Sequence, residues 1–117
     1  MRLGTFVIGV GTLVALHGCD VGCGNEVGST FESPRGDHIA VVFSRNCGAT
    51  TGFNTQLSVL ARGEATPSQA GNALIADGKL PLKVRWTSES ELVVTGYQGA
   101  KLVKQEKLAN GVTISYE

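Results

Sequence analysis

Leu82-Lys83-Val84-Arg85-Trp86-Thr87 alternates apolar and polar residues without a break. In an extended chain that period of two puts Leu82, Val84 and Trp86 on one face and Lys83, Arg85 and Thr87 on the other, as in a strand with one buried and one wetted side. Thr87 to Glu91 reads as a polar turn, and Leu92 to Thr95 as the returning strand. Near the C-terminus the same alternation recurs: Val112, Ile114 and Tyr116 interleave with Thr113, Ser115 and Glu117. Asn110-Gly111 stands directly before it and is the strongest short-range hairpin signal. Lys101 to Leu108 carries Leu102, Val103 and Leu108 on loose helical spacing, but the Asn-Gly pair favours a strand there over a two-turn helix.

Upstream, His38 to Phe43 is short and β-branched and reads as a buried strand. It follows Ser33-Pro34-Arg35-Gly36-Asp37, a turn in which proline presets φ and glycine tolerates a positive φ. Asn46 to Asn54 is a Gly/Thr-rich loop, Gln56 to Ala61 a strand, Arg62 to Gly71 a loop, and Asn72 to Asp77 a short strand ended by Asp77-Gly78. With short connections and no long amphipathic helix, the expected fold is mainly β: a small antiparallel meander of six to seven strands, curled into a sandwich or partial barrel. FESPRGDHIAVVFS (31–44) and RWTSESELVVTGY (85–97) share an order of aromatic, polar turn and β-branched strand. Two copies cannot close a propeller, and the echo reads as two hairpin turns built alike.

The chain has 117 residues, about one domain, with ten basic and ten acidic side chains. That balance offers no basic face and no case for nucleic-acid binding. Residues 1–18, MRLGTFVIGVGTLVALHG, place one positive charge at Arg2 before an uncharged run of 14 residues from Leu3 to Leu16. This is the layout of a cleaved secretory signal, and it falls short of the roughly 20 apolar residues needed to span a bilayer. Removing it leaves 99 residues, of which 39 are apolar, enough for one modest core.

Leu16-His17-Gly18-Cys19 resembles a bacterial lipobox. The resemblance implies that Cys19 is modified with diacylglycerol through its thiol and becomes the first residue after cleavage. It also implies a membrane-lipid partner and a lipid-anchored location facing the periplasm or exterior. His17 is larger than the residue usual at that position. Asp20, in some bacteria a signal for inner-membrane retention, leaves inner versus outer membrane open. The expected layout is a signal peptide (1–18), a polar, Gly-rich flexible tether (19–32) and one β-rich domain (33–117).

If Cys19 carries lipid, Cys23 and Cys47 remain, and an even pair in an exported protein reads as a disulfide. It would close a loop of 25 residues, worth about 3–4 kcal/mol in the chain-entropy model. Three sharper readings compete. Cys19 and Cys23 form a CxxxC suited to copper or redox work; Cys23, Cys47 and His38 are an incomplete zinc set; Cys47 is a nucleophile with His38 as base, which would make a small hydrolase or thiol/redox enzyme. Each lacks the remaining partners its chemistry needs, so no cofactor and no metal are expected.

Ser33-Pro34-x-Gly36, the run from Ala40 to Phe53 containing Arg45-Asn46-Cys47-Gly48-Ala49-Thr50-Thr51-Gly52-Phe53, then Gly71-Asn72-Ala73-Leu74, Val84-Arg85-Trp86 and Gly111-Val112-x-Ile114-x-Tyr116 together resemble a family of small bacterial lipoproteins and exported proteins. The resemblance implies a compact β-rich domain and the pairing of Cys47 with an upstream cysteine, and brings no activity with it. Within the motif, Arg45 offers a bidentate donor, and Asn46, Thr50 and Thr51 offer hydrogen bonds on a glycine-freed backbone. These four residues are the candidate binding loop, for an anion, a glycan or an envelope protein partner. The alternative is a loop whose Asn and Thr side chains satisfy its own backbone. Glu89 and Glu91, on either side of Ser90, read as solvated, and Trp86 and Tyr97 as packing. The expectation is a membrane-anchored binding or envelope-structural module, with the enzyme as alternative.

Overall fold

The computed structural model describes residues 23–48, 52–64 and 69–117. The leader, Cys19, Asp20, Thr50 and Thr51 lie outside the described residues. Along the chain run β1 (Gly24–Glu32), β2 (His38–Asn46), β3 (Asn54–Ala61), β4 (Leu74–Asp77), β5 (Lys83–Ser88), β6 (Glu91–Thr95), β7 (Leu102–Gln105), β8 (Leu108–Ala109) and β9 (Val112–Tyr116). No helix occurs among the described residues. The strands form two sheets, ordered β1-β2-β3-β4-β7 and β5-β6-β9-β8, and neither closes into a barrel. All pairings are antiparallel except β6 with β9, which run parallel from Glu91–Thr113 to Val94–Tyr116.

The sheets face one another over a core drawn from both: Ala40, Leu57, Val59 and Leu74 from the first, Val84, Leu92, Val94, Val112 and Ile114 from the second. Each fully buried Leu or Val of this set contributes about 1.5–3 kcal/mol by leaving water. The alternation over 82–87 does what its period requires. Val84 is buried and Trp86 packs on the core, while Lys83, Arg85 and Thr87 are exposed. β3 is buried on both faces, and Val41, Phe43 and Leu60 form a second cluster on the outer side of the first sheet.

Nine strands stand among the described residues where six to seven were expected, for two reasons. Residues 24–32, expected as tether, are instead β1, paired with β2 over its whole length. The Ser33–Asp37 turn closes one end of this hairpin: the Gly36 amide donates to the Ser33 carbonyl at 2.9 Å, and Gly36 takes a φ of 75°. Most β1 side chains are exposed, so the strand is held by its ladder of backbone hydrogen bonds and leaves no apolar period in the sequence. Its ladder shifts register between Val27 and Ser29, a bulge centred on Gly28. The second reason lies at the C-terminal end, where the expected single strand breaks at Glu106–Lys107. β7 pairs with β4 in the first sheet, and β8 joins β9 in the second. The chain is therefore a meander only locally, because it crosses between the sheets after β4, β6 and β7.

The Asn110-Gly111 hairpin forms as its sequence predicts, with φ of 53° and 81° at the two positions, the signature of a type I′ turn. At Gly96 the backbone also takes a positive φ, and a Cβ there would overlap the Pro81 carbonyl oxygen. Only glycine fits at this return from the second sheet.

Candidate functional site

Cys23 and Cys47 stand one step beyond the Gly24–Asn46 pair that ends the β1–β2 ladder, and they are joined by a disulfide. The hairpin is thus closed by a turn at one end and a covalent bond at the other. Beside the disulfide lies a cleft of about 430 Å³ with Asn25, Glu26, Arg45, Asn46, Phe53 and Asn54 in its walls.

Hydrogen bonds fix the backbone of this cleft. The Asn54 side-chain amide mimics a peptide group: its Oδ1 accepts from the Arg45 amide at 2.9 Å and its Nδ2 donates to the Arg45 carbonyl at 2.6 Å. That carries the β2–β3 pairing beyond its last ladder pair, Phe43–Gln56, to Arg45. The Asn46 Oδ1 accepts from the Gly48 amide at 2.9 Å, a turn closed by its own side chain. Arg45 Nη1 donates to Asn25 Oδ1 at 2.8 Å, and Asn25 Nδ2 donates to the Gln69 carbonyl at 2.8 Å. The Phe53 carbonyl accepts from the Gly78 amide at 2.8 Å, while the residue as a whole is 80% exposed. A backbone held by that hydrogen bond thus presents an aromatic residue to solvent. A second groove, of about 520 Å³, adjoins the first through Glu26, Ser44 and Asn54 and is floored by Val42, Phe43, Leu80 and Pro81.

Of the residues singled out in the sequence, Arg45 and Asn46 meet in the cleft and Cys23 and Cys47 are paired. Thr50, Thr51 and Cys19 lie outside the described residues. The other sequence candidate, Cys47 with His38, is not brought together. Cys47 is in the disulfide, and His38 begins β2 nine residues earlier, roughly 30 Å away along a strand.

His38 lies instead in a polar cluster at the opposite end, its ring stacked on Trp86 at 6.2 Å between centroids. The centre of that cluster is Glu89, and here the expectation of a solvated carboxylate is corrected. Its carboxylate accepts the Ser33 hydroxyl, the Arg35 amide at 2.6 Å and the Asp37 amide at 3.0 Å. Ser33, 4% exposed, in turn accepts from the His38 amide at 3.0 Å. Trp86 Nε1 donates to the Phe31 carbonyl at 2.8 Å. The two echoing segments, 31–44 and 85–97, are therefore the two hairpins whose turns dock on each other, and Glu89 is the latch. Burial pushes the Glu89 carboxyl upward; the Ser33 hydroxyl, the Arg35 and Asp37 amides and the Arg35 charge outweigh it and hold the group below its usual range. The only sequence signal for this latch was the echo itself.

Two further residues were not singled out as structural. Asn72 repeats the amide device: Oδ1 accepts from the Val59 amide at 2.8 Å, and Nδ2 donates to the Val59 carbonyl at 2.9 Å. It stands in for a strand where β4 no longer reaches. Tyr116 donates its hydroxyl to the Glu106 carbonyl at 2.6 Å and meets Tyr97 edge-on at 5.7 Å. Burial first, then the Glu106 and Tyr97 charges, push its pKa up to about 12.

No family model, no curated protein and no solved structure matches the chain.

Proposed function

We propose that this chain is an exported, lipid-anchored β-sandwich that acts as a binding or structural module of the bacterial envelope. The observation that carries the reading is the Cys23–Cys47 disulfide. Such a bond belongs to an oxidising compartment outside the cytoplasm, and it leaves Cys19, at the end of the lipobox-like Leu16-His17-Gly18-Cys19, as the one cysteine for the anchor. The module's binding surface is the cleft beside the disulfide, where Arg45 and Asn46 stand with Phe53. A thiol enzyme working through Cys47 would first have to open the disulfide, and no observation favours that alternative.

Fractionation of cells expressing the full chain and its Cys19→Ala variant tests the anchor. The wild-type chain is expected in the membrane fraction, released by detergent and not by high salt, and the variant is expected to lose its lipid. Wild-type protein in the soluble fraction would overturn the reading.

A further inference from the structure

The anchor point and the clamped end of the hairpin are separated by very little chain. Cys19 and Cys23 are four residues apart, so even fully extended they span at most about 14 Å. Cys23 is not free to swing, because the disulfide ties it to Cys47 and β1 is paired to β2 from Gly24 onward. A lipid on Cys19 therefore holds one particular end of the domain against the bilayer.

That end carries apolar surface that the fold does not use. Among the described residues the exposed large hydrophobics are Val27, Phe53, Val103 and Leu108, and Phe53 and Val27 stand at this end. Phe53 stands in the wall of the cleft beside Gly24, and Val27 lies three residues further along β1 in the adjoining groove. The Phe53 backbone is pinned by the Gly78 amide and Thr55 binds the Gly78 carbonyl at 2.8 Å, so the ring is presented rather than loosely tethered. The polar, charged turns built around Ser33, Asp37 and Glu89 lie at the other end of β1, nine residues away and roughly 30 Å along the strand.

We propose that the disulfide-clamped end of the domain is a membrane-contact face, with the Phe53 ring seated in the headgroup region of the leaflet that holds the Cys19 lipid. An amphipathic boundary suits an aromatic ring flanked by polar groups, and here Asn25, Glu26 and Arg45 surround it. The sandwich then stands upright, its Glu89-latched turns farthest from the bilayer. The inference rests on the lipid anchor proposed above, adds an orientation to it and makes the lipid headgroups the occupant of the binding cleft beside the disulfide.

The test uses the full chain, processed in bacteria, extracted in detergent and reconstituted into phosphatidylethanolamine/phosphatidylglycerol vesicles carrying brominated acyl chains. The single native tryptophan, Trp86, sits toward the far end and gives the baseline. Phe53→Trp adds a second emitter at an exposed position where the larger ring displaces nothing buried. The expected result is quenching of most of the added emission, with the Trp86 baseline unchanged. Added emission that is not quenched, in protein that stays with the vesicles, would overturn the membrane face and leave the anchor standing. Quenching of both would overturn the upright orientation. Protein whose mass shows no acyl chain and that washes off the vesicles would remove the anchor and this face with it, a failure visible before any fluorescence is read.

Discussion

The Ser33 hydroxyl donates to the Glu89 carboxylate across 56 residues of sequence, and through that bond the turn of one hairpin is fastened to the turn of the other. Glu89 also takes the Arg35 and Asp37 amides, so one carboxylate satisfies three donors of a turn that would otherwise leave them to water.

Removing that charge weakens the joint between the sheets. Glu89→Gln keeps the shape but replaces one acceptor oxygen with a donor facing amides, and thermal unfolding is expected at a lower Tm than wild type at neutral pH. The Glu89 carboxyl lies below its usual 4.5. A group depressed on folding contributes stability above its unfolded value and loses it as pH falls through the folded one. Wild-type Tm should therefore drop as the pH falls below about 4.5, and the Tm of Glu89→Gln should change less over the same window.

Asn72→Ala leaves the amide of Val59 without the partner it has at 2.8 Å, while the Val59 carbonyl loses its 2.9 Å donor and keeps only the Asn110 side-chain amide at 3.2 Å. Leaving buried backbone groups unsatisfied costs about 1–3 kcal/mol, which chemical denaturation measures as a lower midpoint at unchanged slope.

The Cys23→Ser/Cys47→Ser double variant is expected to lose about 3–4 kcal/mol, the loop-closure value for the 25-residue ring. The loss should be local in its consequences. Amide exchange should speed up along β1, whose side chains are mostly exposed, before it does in β6 or β9.

Tyr116 gives an alkaline counterpart. Its pKa is raised to about 12 from 10, so its contribution is present in full below the unfolded value and is lost as pH rises through the folded one. A spectroscopic titration should show a phenolic group ionising near pH 12. Tyr116→Phe should cost about 1 kcal/mol for the hydrogen bond to the Glu106 carbonyl.

Much of the fold was legible because its signals are local. The period of two over 82–87, the proline and glycine of the 33–37 turn and Asn110-Gly111 each specify a conformation within a few residues. The cysteine pair was legible from the count. β1 was not, since a strand whose side chains face water has no apolar rhythm, and the disulfide and turn that hold it act through the backbone. Nor was the division of strands between sheets, which depends on the crossing at Glu106–Lys107. The Glu89 latch and the Asn72 and Asn54 amides escaped notice for a related reason. A side chain that completes another strand's backbone leaves no pattern around itself, and Glu89 acts over more than fifty residues. In the cleft, Arg45 and Asn46 were readable as polar residues on a Gly-rich loop, but the exposure of Phe53 was not.

The most direct test of the central claim is the intact mass of the protein extracted from membranes, with and without reductant. The account requires a chain beginning at Cys19, heavier by its acyl groups, and gaining about two mass units when its single disulfide takes up two hydrogens on reduction. A chain that retains residues 1–18, carries no lipid and shows no change on reduction would contradict it, and Cys23 and Cys47 would then be free thiols in need of a different explanation.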